Sequence, residues 1–416
     1  MSQPTVLVLA GGASNRFWPL RDKPLLRLGA YTLLERHLRQ LADLGCERFV
    51  VVARPETSAA VESMADGIGE VRVVIQAEAR GMADAVLAAR PALDEFGDGP
   101  LYVTQAQDVV ENILHAEMLH AWARREAWAG LIAGVKVSEY FPGGYLTLKG
   151  QRVTGVAEKP GAGNEPSDLV NLVAHIYASS FDLLTVIEDE AQHHGRDDVY
   201  ERALTRLMAM GEFRAHVYEG RWQALKYPWH TLDVMAMLLE LWQRGLESPG
   251  PEYEEREPGV FIGKDVRIFP GSHLVAPCLL DHGAVVGQTS LVRDSIVGPR
   301  CVVGFGSEVA RSLLVEGVEL HHNYTGDSVL DRGATMGYGA VTANYRLDNR
   351  TVPSVVAGER LDTGRMKLGA MLGAGARMGV NASTMPGIKV GPGAIIGSNL
   401  PVNRDLKDGE RYLRAE

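Results

Sequence analysis

Gly11 and Gly12 follow the apolar run TVLVLA (residues 5–10), and Arg16 and Lys23 follow within a dozen residues. Glycines at the end of a strand let backbone N–H groups approach an anion closely, and a helix N-terminus beyond them adds positive potential. A Gly-Gly pair alone is only a tight turn between strand and helix. With two cations beside it, the turn fits a triphosphate whose α-phosphorus is open to attack. A second stretch, HHNYTGDS (residues 321–328), carries His321 and His322. Histidine is the natural base for removing a proton from an amine near neutral pH. Two exposed loop histidines would read the same way in sequence.

The elements that position these residues fall into two grammars. In the first half, short apolar runs at 5–10, 49–53, 71–75 and 101–104 alternate with helical patterns at 31–44, 82–92 and 112–128. Strands separated by helices predict an α/β layered domain with a parallel sheet. Residues 231–246 read as one amphipathic helix, and the acidic, proline-containing ESPGPEYEEREP (247–258) reads as a linker. Beyond it, aliphatic residues recur every six positions: Ile262, Ile268, Leu274, Leu280 and Val286; then a frame from Val285 to Val315; then Leu372 to Val402. Neither 3.6 nor 2 gives this period. A six-residue repeat is the signature of a β-helix, with an aliphatic residue inside each side and glycine at the corners. Residues 316–370 break the rhythm and predict an insertion, where sites on a rigid scaffold tend to lie. The domains expected are 1–230, a helix and linker over 231–258, the repeat domain over 259–405 and a tail over 406–416.

The 416 residues carry a net charge of −10 and three cysteines, Cys46, Cys278 and Cys301. The charge argues against a nucleic-acid partner, and no basic block offsets it. The isolated cysteines predict a reduced, cytoplasmic protein, with Cys278 and Cys301 as core or corner residues of the repeat. No signal peptide or membrane span is read in the sequence, so no membrane partner is expected.

LAGGASNRFWPLRDKPLL (9–26) resembles the signature loop of the sugar-1-phosphate nucleotidylyltransferases, which reads GGxGTR-x-x-P-L with a lysine shortly after. Further matches follow in the family's order. Gln76 with Gly81 resembles the base-reading segment, Asp108 the magnesium-binding aspartate, Gly144 a turn at the sugar, and Glu158-Lys159-Pro160 the motif holding the sugar and its phosphate. Asn171 stands on the family's sugar strand. GAVTANYRLDNRTV (339–352), followed by GRMKLGAMLGAGARMGVNASTMPG, resembles the acyltransferase β-helix of archaeal-type bifunctional nucleotidylyltransferase/acetyltransferases. The resemblance covers nearly the whole chain. It departs at Ser14 and Asn15 (family Gly and Thr), Met82 (Thr), Gln107 (Gly) and His230 (the second metal aspartate), with Asp233 three residues on.

The resemblance implies a Rossmann-like nucleotidyltransferase domain with a parallel-dominated sheet, followed by a hexapeptide-repeat, left-handed parallel β-helix. It implies a nucleoside triphosphate, UTP or dTTP, and a sugar-1-phosphate as substrates, with Arg16 and Lys23 as catalytic cations and Gly11, Gly12, Gln76 and Gly81 at the nucleotide. Gln76 could pair with uracil or thymine, since an amide offers one donor and one acceptor. Gly144, Glu158, Lys159 and Asn171 would bind the sugar phosphate, and Asp108 and Asp233 the Mg2+. In the second domain, His321 would be the acetyl-transfer base, acetyl-CoA the donor, and Tyr324, Asn344 and Arg350 the acceptor's binders. Arg365 and Lys367 are candidates to supply charge that the family takes from lysines. Packing as a homotrimer is implied as well. Two other readings stay open: a β-helix that serves only as an oligomerisation and allosteric platform, and a protein that binds sugar nucleotides or scaffolds partners without turnover, which Ser14, Asn15, Gln107 and His230 support.

Overall fold

Thr5–Leu9 forms the predicted strand, β1, buried from Val6 to Leu9. Continuous burial is what an unalternating apolar run requires, because both faces of a parallel strand are covered. The computed structural model describes residues 3–65, 67–193 and 198–414. These form two compact units, Met1–Ala13 with Leu33–Trp222, and Ser14–Thr32 with Gln223–Glu416.

In the first unit β1 pairs in parallel with β2 (Arg48–Ala53) and with β4 (Leu101–Thr104), and β2 with β3 (Glu70–Ile75). Helices α1 (Leu33–Asp43), α2 (Pro55–Met64), α3 (Met82–Ala88) and α4 (Arg90–Phe96) connect them. The single helix expected over 82–92 is two, because Pro91 sits in the first turn of α4 and lacks the N–H that would continue α3. Helix α5 (Asn112–Ala123) ends before the expected residue 128. The sheet then adds β5 (Gly130–Lys136), β6 (Gly144–Lys149), β7 (Arg152–Glu158), β8 (Leu169–Tyr177) and β9 (Phe213–Tyr218), in the order β3-β2-β1-β4-β8-β5-β9-β7-β6. β8 runs antiparallel to both β4 and β5, so the sheet is parallel over its first four strands and mixed beyond them. Helices α6 (Ser180–His193) and α7 (Val199–Met210) close the core, setting Leu183, Ile187, Leu204 and Leu207 among Leu7, Val50, Val103 and Ile132.

In the second unit α8 (His230–Gln243) precedes three ladders of short parallel strands. The chain visits the ladders in turn, and Val286, Val303, Leu320, Met336, Met378 and Ile396 stack inside. A Cβ on Gly298 or Gly304 would fall 1.8 or 2.2 Å from a carbonyl oxygen of the next rung, so only glycine fits. The break expected over 316–370 is shorter. Rungs continue through Val341–Thr342, and only residues beyond them leave the ladders to form the hairpin Pro353–Val356/Glu359–Asp362. The six-residue rhythm is hidden there because Val302↔Glu319 and Glu319↔Thr335 advance 17 and 16 residues instead of 18. Cys278 and Cys301 are fully buried, and burial pushes their thiols up to about 12. Among the described residues no helix is long and apolar enough to cross a membrane.

Candidate functional site

Gly11, two residues past the end of β1, lies against a buried amide. A Cβ there would lie 2.7 Å from Gln76 Oε1, whereas one on Gly12 would meet nothing within 4 Å. Gln76 is 4% exposed, and its Nε2 donates to Asp84 Oδ2 (2.9 Å) and the Gly81 carbonyl (3.3 Å). Gly81 has φ +111°, a conformation open to glycine. The structure therefore joins Gly11, Gln76 and Gly81 and adds Asp84, which the sequence did not single out. A cleft of about 400 Å³ beside them is lined by Gln76, Glu78, Arg80 and Asp84. The Gln76 N–H2 is already committed inside the protein, so a base would have to compete for it.

A second corner joins Gly144, Glu158 and Asn171. A Cβ on Gly144 would lie 3.1 Å from Glu158 Oε2 and 3.6 Å from Asn171 Cβ. Lys159 takes φ +43°, donates its N–H to the Gly143 carbonyl (3.0 Å) and pairs with Glu158 Oε1 (3.0 Å). That pair is well exposed and contributes little to stability. Glu201 on α7 is a further acid of this corner. Burial raises its carboxyl, and the charges of Glu158 and Asp198 add to the effect.

Asp108 opens the strand Asp108–Val110 and accepts the Trp222 indole N–H at 3.2 Å. No group of three His, Cys, Asp or Glu among the described residues is arranged to hold a metal. Mg2+ needs only one or two carboxylates when phosphates and water complete its shell, and Asp108 fits that demand. Asp233, the other expected ligand, forms an ion pair with Arg365. That pairing also occupies Arg365. His230 Nδ1 lies 2.8 Å from the Ala224 carbonyl, and burial lowers its pKa.

Arg16 and Lys23 belong to the second unit. Ser14 has φ +55°, the left-handed conformation for which the family's glycine is suited. Arg16 is exposed in the turn Asn15–Phe17. Lys23 Nζ donates to the Lys226 carbonyl at 3.2 Å and lies 5.4 Å from the Phe17 ring centroid.

Adjacent His321 and His322 separate in the ladders. His321 is exposed and lines a groove of about 610 Å³ with Glu319, Thr335 and Arg377, its backbone N–H held by Asn323 Oδ1. His322 stacks between Phe305 and Tyr338, with centroids 5.9 and 5.1 Å away. Asn344 Nδ2 donates to Tyr324 Oη (3.0 Å) and Asp327 Oδ2 (2.5 Å). Asp327, 2% exposed, also accepts both arms of Arg311 at 2.7 and 2.8 Å. Sequence reading missed Asp327 and Arg311, because 16 residues between rung neighbours is no local pattern. Arg350 donates its backbone N–H to Asp348 (3.4 Å), and no hydrogen bond among the described residues joins it or His321 to the Asn344 cluster.

Residues 6–141 match the model of the MobA-like NTP transferase domain. The bifunctional sugar-1-phosphate nucleotidylyltransferase/acetyltransferase of Sulfurisphaera tokodaii is 29% identical, over 97% of this chain and 98% of its own. The bifunctional protein GlmU of Methanococcus maripaludis is 24% identical, over 96% and 95%. Among solved structures, a UDP-glucose pyrophosphorylase complexed with UDP-glucose has a TM-score of 0.45 and 17% identity, over 54% of this chain and 94% of that one. The resemblance drawn from the motifs is thus borne out: from end to end, the chain is similar to bifunctional sugar-1-phosphate nucleotidylyltransferase/acetyltransferases.

Proposed function

We propose that this chain is an enzyme with two activities. It transfers a nucleotidyl group from UTP or dTTP to a sugar-1-phosphate, glucose- or N-acetylhexosamine-1-phosphate, and it N-acetylates a hexosamine-1-phosphate with acetyl-CoA. The carrying observation is similarity to bifunctional enzymes across both parts of the chain. The meeting of Gly144, Glu158 and Asn171 supports a sugar phosphate in the first part.

In the first reaction a phosphate oxygen of the sugar-1-phosphate attacks the α-phosphorus. A P–O bond forms there, the α–β bond breaks, and pyrophosphate leaves. The protein's part is alignment and charge neutralisation. The amides of Gly11 and Gly12 cradle phosphate, Arg16 meets the β/γ-phosphates, and Lys23 meets the α-phosphate. Glu158 accepts from sugar hydroxyls, and Lys159 holds the sugar's phosphate. Bound Mg2+, with Asp108 as its protein ligand, supplies further neutralisation of the phosphates. In the second reaction His321 takes a proton from the amine, whose nitrogen attacks the thioester carbon, and CoA leaves as the thiol. Tyr324, Asn344 and Arg350 bind the acceptor. We read the three parallel ladders as a left-handed hexapeptide β-helix that assembles as a trimer, in a cytoplasmic enzyme.

Pyrophosphate release with a panel of sugar-1-phosphates and Mg2+ tests the first activity, and CoA release with glucosamine- or galactosamine-1-phosphate the second. Arg16 is exposed and outside the core, so Arg16→Ala is expected to abolish pyrophosphate release while leaving Tm nearly unchanged. An Arg16→Ala enzyme at the parent rate would remove Arg16 from the mechanism. Absent CoA release would leave the ladders an assembly platform.

A further inference from the structure

β8 breaks its ladder beside the sugar corner. Its partners on β5 run Asn171↔Gly134 and Leu172↔Ala133, then jump to His175↔Ile132. Val173 and Ala174 have no counterparts on β5, which makes the strand bulge. In a regular strand Asn171 and His175 would be about 13 Å apart, too far for a direct bond. Here His175 Nε2 lies 2.9 Å from Asn171 Oδ1. Bulges re-aim side chains in this way and are over-represented next to active sites.

On the ring's other side, His175 Nδ1 lies 2.9 Å from Tyr200 Oη and 3.3 Å from Tyr177 Oη, and the two hydroxyls are 2.7 Å apart. All three rings are buried, at most 2% exposed. The His175 ring stacks on Tyr200 with centroids 5.9 Å apart. Burial keeps His175 neutral, with its pKa lowered to about 3. A neutral imidazole has one donor and one acceptor. The Asn171 amide oxygen can only accept, so Nε2 carries the proton and Nδ1 accepts from the Tyr200 hydroxyl, which in turn accepts from that of Tyr177. Asn171 has spent its carbonyl on His175, and its N–H2 remains for the corner it shares with Gly144 and Glu158.

We propose that His175, oriented by Tyr200 and Tyr177, is a positioning residue that fixes the Asn171 amide with its N–H2 toward the sugar phosphate. The corner then offers a donor from Asn171 beside an acceptor from Glu158, a pair matched to a ligand rich in hydroxyl and phosphoryl oxygens. This rests on the reading of the corner as the sugar-1-phosphate site.

Removing both hydroxyls in Tyr177→Phe/Tyr200→Phe frees Nδ1 to take the proton. Nε2 then becomes an acceptor and the Asn171 amide turns over, presenting its oxygen to the site. The test compares the full-length protein with this double variant and with His175→Phe. Nitrogen-15 NMR of selectively labelled histidine is expected to show His175 as the Nε2–H tautomer in the parent, unchanged from pH 8 to 5.5, and shifted toward Nδ1–H in the double variant. Loss of one well-placed hydrogen bond predicts a KM for sugar-1-phosphate raised about tenfold, with kcat and the KM for the triphosphate within about twofold. The double variant retains His175 and so tests the relay even if His175→Phe fails to fold. An Nδ1–H tautomer in the parent, or a parental sugar-1-phosphate KM in the folded variants, overturns the relay alone. A parent that neither turns over nor binds any sugar-1-phosphate by calorimetry overturns the reading of the corner, and the relay with it.

Discussion

A methyl group at Gly11 would press on Gln76 Oε1, 2.7 Å away, and that amide cannot swing aside without giving up Asp84 and the Gly81 carbonyl. Overpacking a fixed neighbour costs about 1–3 kcal/mol. Gly12 faces open space. Gly11→Ala is therefore expected to lower Tm by several degrees, while Gly12→Ala moves it by less than about one. Differential scanning calorimetry decides this, and equal shifts would contradict the packing described. At the cluster proposed to bind the acetyl acceptor, Asp327 accepts from Arg311 and Asn344 together, so one buried carboxylate sets where Asn344 points. Asp327→Ala should cut CoA release at least tenfold without changing pyrophosphate release. Undiminished CoA release would separate Asn344 from the acceptor. Neither Asp327 nor Arg311 could be picked from the sequence, where they are two of many charged residues. His321 stands out in the sequence because its residue type fits proton transfer.

Three elements of the first unit carry buried histidines whose neutrality is part of the fold. His37 on α1 and His115 on α5 meet edge to face, 4.9 Å between centroids, with His37 bonded to Thr104 Oγ1 (2.8 Å) and His115 to Tyr102 Oη (2.9 Å). His175 on β8 is the third. Burial, with Arg36 nearby, lowers His37 to about 3; burial, then His37 and Arg36, lowers His115 well below its ordinary value. The unfolded chain protonates these rings near 6.5, so their stabilisation is complete above that pH and is lost as pH falls from 6.5 toward 3. Each contributes a slope approaching about 1.4 kcal/mol per pH unit in that window. Urea midpoints are expected to be flat from pH 8 to 7 and to drop steeply from 6.5 to 5; a flat profile down to 5 would rule out buried neutral histidines. At this scale the sequence was legible wherever one period persisted. TVLVLA is a buried strand as expected, and Leu372 to Val402 are interior positions. It was illegible where register changed: rungs one or two residues short concealed 316–342, and nothing in the letters around Val173 and Ala174 announces a bulge.

At the scale of the whole chain, the loop carrying Arg16 and Lys23 is fixed by residues almost four hundred positions later. Trp18 Nε1 donates to Asp408 Oδ1 at 2.7 Å, and Arg21 donates to Asp408 Oδ2 at 2.8 Å. Lys389, itself paired with Asp405 at 3.1 Å, lies 5.0 Å from the Trp18 ring centroid. The last rungs of the ladders thus hold the segment whose cations are proposed to meet the triphosphate. Arg21 is 66% and Asp408 45% exposed, so their ion pair adds little to global stability. Its effect falls on the loop's conformational freedom, and an ordered loop binds without first losing entropy. Asp408→Ala is accordingly expected to leave Tm within about 2 °C and CoA release unchanged. The KM for the triphosphate should rise severalfold, with a changed Trp18 fluorescence on nucleotide addition. If the triphosphate KM stayed at the parental value, the contact would be an incidental surface pairing, and the loop's order would have to come from Lys23 and its bond to the Lys226 carbonyl.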